Sequence, residues 1–232
     1  MQNSLHLVCE VKRRLHLNNP NVDSNWITNK HAMNELNLKL AQVLISSGCN
    51  INHRDYQSHE TPVFKAILNN YYDLIKLFLI NGFNMSERNI YGNDVLSRSI
   101  QLGRYKIARL LIAADSPIRV YSCFYKIPSI DEIQSNNAAT SSIDFATEDE
   151  DFYRAATVNN ENFLQYSLLK YEEFLLFIKK YTQEPRSLID LSRLCVRHHL
   201  KKPITNWLPH LNVPRQIQDI ILLKDIEHMI KN

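Results

Sequence analysis

Nine histidines and four cysteines are the residues in this 232-residue chain whose types could ligate a metal or carry nucleophilic chemistry. The cysteines Cys9, Cys49, Cys123 and Cys195 are evenly spread and form no CxxC pair. That spacing suits neither a zinc site nor a disulfide framework, and it predicts a reducing compartment, the cytoplasm with the nucleus also open. His198 and His199 are adjacent, so on a helix they point about a quarter-turn apart, and no Cys or carboxylate pattern accompanies them. His53 and His59 fall in a loop, where a polar turn is expected. Four glycines are too few for a phosphate-cradling loop, and no GxSxG or Cys-His signature is present. The expectation is a chain without metal, cofactor or catalytic residues. An enzyme with an unrecognised site stays open, and a polar concave pocket would be its mark.

Charge narrows the partners. Lys and Arg number 27 against 24 Asp and Glu, a net of +3, too balanced to predict nucleic acid or a membrane surface. Lys12, Arg13 and Arg14 read as a solvated helix face, and Glu148 to Asp151 as a solvated acidic loop. No apolar stretch approaches the roughly 18 residues that would cross a bilayer. The short apolar patch Leu5, Leu7, Val8 is interrupted at Glu10 and Lys12, so it does not read as a secretion signal.

The elements emerge from an internal repeat. Glu60 to Ile80 aligns without a gap on Asn93 to Ala113 at an offset of 33, pairing Thr61 with Asp94, Ala66 with Ser99, Leu74 with Ile107 and Leu77 with Leu110. An offset of 34 places Ala66 on Ala32 and Gly82 on Gly48. Thr61 can cap a helix, Pro62 then has no amide to lose, and Asp94 is the next cap. Leu74, Ile75, Leu77, Phe78 and Leu79 give a second helix a broad buried face, and Gly48 and Gly82 suit left-handed helix ends. Each unit is thus a helix-turn-helix, and the period of 33 with Thr61-Pro62 resembles the ankyrin repeat over residues 20 to 120, with TPLH become Asp94-Val95-Leu96-Ser97 in the later unit. A generic helical solenoid is the alternative. A worn further copy runs from Phe152 to Leu169, after a Ser-, Asn- and acid-rich stretch from Ser129 to Asp151 that predicts an exposed insertion. Leu5 to Leu15 reads as an amphipathic N-terminal cap.

From Pro185 to Asn232 the pattern changes. Ser187 can cap a helix with Leu188, Leu191 and Cys195 at three- and four-residue spacing, and Leu211 to Ile230 predicts a second helix with Pro214 near its start. Such short helices have no self-sufficient core, so their apolar faces need a cover, either a partner or the solenoid itself. The segment resembles a SOCS box: Ser187, Leu188, Ser192 and Val196 fall on the elongin-binding pattern, and Arg193-Leu194 and Arg197 match its LCRL-x-IR run. The resemblance implies contact with elongin C through Leu188, Leu191, Ser192 and Val196, and with a cullin through Leu211, Val213 and Pro214. Asn212 replaces the first proline of that family's Leu-Pro-x-Pro.

The expected architecture is therefore all-α: an N-terminal capping helix (1–25), ankyrin repeats (26–120), an acidic and polar insertion (121–151), a degenerate repeat with a connecting helix across Tyr171 to Tyr181 (152–184) and a SOCS box (185–232). The combination resembles the ankyrin-repeat-and-SOCS-box family. It implies a non-catalytic adaptor that recruits elongin B, elongin C and cullin-5 with its RING protein to a target held by the repeats. The alternative is an ankyrin scaffold without ligase recruitment. Tyr56, His59, Arg88 and Tyr91 are the loop residues expected to touch the target.

Overall fold

Every regular element is helical among the residues that the computed structural model describes, namely 2–16, 26–114, 116, 160–199, 204 and 208–224. In chain order the α-helices are α1 (Ser4–His16), α2 (Trp26–Ser46), α3 (Pro62–Leu68), α4 (Tyr72–Ile80), α5 (Val95–Gln101), α6 (Tyr105–Ala113), α7 (Asn160–Gln183), α8 (Leu188–His199) and α9 (Arg215–Ile221), with a 3-10 turn at Leu208–His210 before α9. The insertion expected at 121–151 and the start of the worn repeat at 152–159 lie outside the described residues.

Two rows of helices form a stack. The inner row is α1, α3, α5 and the outer row α2, α4, α6, with each inner helix also packed on its outer partner and α7 following α6. The two full units keep strict register: α3 and α5 start at Pro62 and Val95, and α4 and α6 at Tyr72 and Tyr105, each pair one repeat period apart. Each unit is short because its turn is coded locally. Asn70 takes a left-handed φ of 55° between α3 and α4, a conformation that Asn tolerates. Gly48 (φ 85°) and Gly82 (φ 93°) end the outer helices as the sequence predicts.

Three expectations are corrected. The alignment of Ala32 with Ala66 implies a helix-turn-helix across 26–46, yet α2 is one helix of 21 residues. No glycine or proline interrupts that run, so nothing breaks it. The inner place is taken instead by α1, where Asn3-Ser4-Leu5-His6 stands in for the Thr-Pro-Leu-His pattern and the Asn3 side chain accepts from the His6 amide at 3.2 Å. Thr61 has the extended backbone of a cap, but its hydroxyl caps nothing and is buried without a partner. Asp94, by contrast, accepts from the Ser97 amide at 2.9 Å. Finally, the helix expected over Leu211 to Ile230 stops at Ile221, and 225–232 lie outside the described residues.

Packing then joins the layers. Leu5 and Cys9 of α1, Val63, Phe64 and Ile67 of α3, Ile75 and Phe78 of α4, and Ile107 and Leu111 of α6 belong to one buried core. The α7 helix docks on α6 through an aromatic ladder: Phe174 stacks on Tyr105 at 5.0 Å and on Phe177 at 6.5 Å, and Phe177 on Tyr181 at 5.8 Å. Arg109 lies over Phe177, and the Tyr181 hydroxyl donates to the Ile112 carbonyl. Arg186, just before α8, covers the Tyr181 ring.

The tail is held to the stack as well. Ile204, Leu208 and Ile221 form a small core of their own, while Leu223 is buried in the main core. Leu223 has φ 62° and donates to the Ile220 carbonyl, and the Lys224 amide donates to that of Asp219, the two bonds of a Schellman turn. A left-handed leucine costs roughly 1–2 kcal/mol, and burying its side chain gains roughly 1.5–3 kcal/mol, so burial offsets the strain.

Candidate protein-binding surfaces

The α8 helix starts as the sequence predicts. The Ser187 hydroxyl accepts from the Asp190 amide at 3.1 Å and donates to its carboxylate at 2.6 Å. Beyond the cap, its two faces are reversed relative to an ordinary surface helix. Arg193 and Arg197 are only 3% and 6% exposed, whereas Leu188 is 79% exposed and Ile189, Leu191 and Val196 also face water. Ser192 lies within the exposed face, its hydroxyl turned back to the Leu188 carbonyl at 2.7 Å, and Cys195 is exposed beside it.

The buried side of α8 is ionic. Arg193 pairs with Asp190 at 3.0 Å. The Arg197 guanidinium donates to the Ile221 carbonyl at 2.8 Å and to the Leu79 carbonyl at 3.3 Å. Burial, and secondarily the neighbouring Arg193 charge, lowers the Arg197 pKa to about 10, so it remains a cation at neutral pH. All four residues expected to meet elongin C are therefore on the solvent side, along with Cys195 of the same stripe and with Ile189, which the sequence pattern did not single out. The three expected cullin-facing residues differ. Pro214 is exposed at the cap of α9, Val213 is half-buried, and Leu211 is half-buried against the tail's small core.

A second surface lies on the loops between units. Asp55 and Asn89 hold equivalent places in successive units, and each organises one loop. Asp55 accepts from the Gln57 amide and the Ser58 hydroxyl, and its own amide donates to the Glu60 carbonyl. Burial alone would raise the Asp55 carboxyl, but those hydrogen bonds and the charges of His6 and Lys65 outweigh it and hold it below the usual carboxylate value. Asn89 accepts from the Tyr91 and Asn93 amides, both at 3.1 Å. The Ile90 amide donates to the Ser58 carbonyl, tying the two loops side by side. This scaffolding leaves Tyr56 82% and Tyr91 77% exposed, with His59 and Arg88 also in solvent. Ile90, half exposed beside Tyr91, belongs to the same patch and was not singled out from sequence. Its position one residue past the loop-organising Asn89, matching Tyr56 after Asp55, was the available signal.

Among the described residues, no three His, Cys, Asp or Glu side chains lie together as a metal site. His53 meets the His6 ring edge-on at 6.0 Å. Cys9 is buried, and its thiol is pushed well above the ordinary range by desolvation and by Glu10. No described helix is long and apolar enough to cross a membrane.

The repeat register, glycine turns and paired loops now have a family to set beside them: the model for ankyrin repeats matches residues 29–120, in three copies. These residues are ankyrin repeats. The match begins inside α2 and so leaves out α1, although α1 continues the inner row of the ankyrin stack. A search of the curated proteins returns no match. The ankyrin repeats point to a protein-interaction role.

Proposed function

We propose that the chain is a non-catalytic adaptor. In this reading the ankyrin loops hold a target protein through Tyr56, His59, Arg88, Ile90 and Tyr91. The tail from 185 onward acts as a SOCS box that recruits elongin B, elongin C and cullin-5 with its RING protein. The observation that carries the reading is the reversal of α8, with arginines inside and Leu188, Ile189, Leu191 and Val196 outside. An uncovered aliphatic helix face is the kind of surface that docks in a partner's groove. The resemblance of Ser187, Leu188, Ser192 and Val196 to the elongin-binding pattern is what supports elongin C as that partner. Catalysis by the chain itself is not needed, because tethering raises the local concentration of the target at the conjugating enzyme.

The test is capture of elongins B and C from cells by the full chain and by Leu188→Asp. Covering one leucine is worth roughly 1.5–3 kcal/mol, so its loss weakens capture roughly 10- to 150-fold, and an unpaired carboxylate in the groove adds to that. Equal capture by both proteins, or none by the wild type, would defeat the adaptor reading. A scaffold without ligase recruitment is the second reading. It is favoured by Leu223 in the core of the stack, since a tail that seals the array needs such an anchor.

A further inference from the structure

We propose that Arg197 is a positioning residue that fixes the angle between the tail and the ankyrin stack by closing the C-terminal ends of two helices at once. Its two acceptors belong to different parts of the chain. Leu79 lies in the last turn of α4, an outer helix of the stack, and Ile221 ends α9 in the tail. Carbonyls in a last helical turn lack an intrahelical donor, and they form the negative end of the helix dipole. A buried cation is thus stabilised by both ends, and each end is satisfied by it. The planar fork of a guanidinium can serve two carbonyls that lie in different directions, whereas an ammonium on a flexible stem behaves as a point charge.

The position of Arg197 gives this contact its leverage. It lies on α8 one residue after Val196, so the helix that exposes its aliphatic side outward is pinned through its opposite side to the last turn of α4. Leu223, in the turn just past α9, enters the main core on the same tail. This inference rests on the adaptor reading, in which the angle between α8 and the loops bearing Tyr56 and Tyr91 decides where a captured target is held.

The experiment uses the full chain with Cys49, Cys123 and Cys195 replaced by serine and nitroxide labels on cysteines placed at the exposed positions 91 and 216. The wild-type background is expected to give one narrow distance distribution. Arg197→Met is expected to broaden it, with hydrogen-exchange protection lost in α9 and the 222–224 turn and retained in α3, α5 and α6. Arg197→Lys keeps the charge but not the fork, and it is expected to broaden the distribution as well. If either folded variant keeps the narrow distribution, the proposal is overturned. If Arg197→Met fails to fold, Arg197→Lys decides alone, and loss of protection throughout its stack would also overturn the proposal. Elongin capture is read in parallel. Retained capture with a broadened distribution supports both readings, and broadening without capture by the wild type leaves the positioning role standing while the adaptor reading falls.

Discussion

Replacing Phe174 by alanine offers a direct test of how the end of the stack is held. The ring is fully buried, and it stacks on Tyr105 of α6 at 5.0 Å and on Phe177 at 6.5 Å. Truncating a buried phenylalanine costs about 3–5 kcal/mol, which includes the cavity left behind. For a chain of this size that corresponds to a fall in Tm of about 6–20 °C if the whole molecule unfolds together. It should not all unfold together. In a stacked array each unit is stabilised mainly by its neighbours, so the loss falls on the α6–α7 junction. The expected result is two transitions in denaturant, the first releasing α7, with hydrogen exchange accelerated in α7 before α3. Leu176 is the control, because it lies two residues along the same helix and is 67% exposed. Leu176→Ala should change stability by less than about 0.5 kcal/mol. Equal effects of the two substitutions, or a loss below about 1 kcal/mol for Phe174→Ala, would refute the docking described for α7.

Further outcomes follow from the caps and from one histidine. Asp94→Ala removes the acceptor of the Ser97 amide and should cost about 1 kcal/mol in chemical denaturation. Thr61→Val should be neutral or stabilising in the same assay, since the hydroxyl it removes is buried without a partner. His6 is buried against the Glu60 carbonyl, and desolvation lowers its pKa below the ordinary 6.5. The unfolded chain therefore takes up a proton more readily than the folded one. This contribution is fully present above about pH 6.5 and is lost as pH falls from there towards the folded value. Denaturation at pH 7.5 and 5.5 should show a steeper acid loss in the wild type than in His6→Phe, which copies Phe64 at the corresponding place of α3.

Features coded within a few residues were legible in the sequence. Pro62 and Asp94 at helix starts, Gly48 and Gly82 at helix ends, and Ser187 before α8 are each a local rule that one turn of helix can satisfy. Features that depend on which surfaces meet were not. Asn3-Ser4-Leu5-His6 departs from the repeat's consensus, and the step from the start of α1 at Ser4 to that of α3 at Pro62 is much longer than one period, so periodicity does not reveal it. The turn at Leu223 lacks the glycine that marks such positions, because burial supplies what glycine would. The spacing of Leu188, Leu191 and Cys195 identifies an aliphatic stripe, but nothing in a pattern says whether it faces inward. Arginines 193 and 197 would ordinarily be assigned to water, and it is the carbonyls of Leu79 and Ile221 that bring one of them inside.

The inverted helix also sets the terms on which this polypeptide can exist by itself. Uncovered, α8 presents aliphatic groups that favour clustering of like molecules; in the proposed adaptor a partner would cover the same groups and add to the stability of the folded state by mass action. The steady amount of the protein in a cell would then track the supply of whatever occupies that helix, and a surplus of unaccompanied chains would be the first to be cleared.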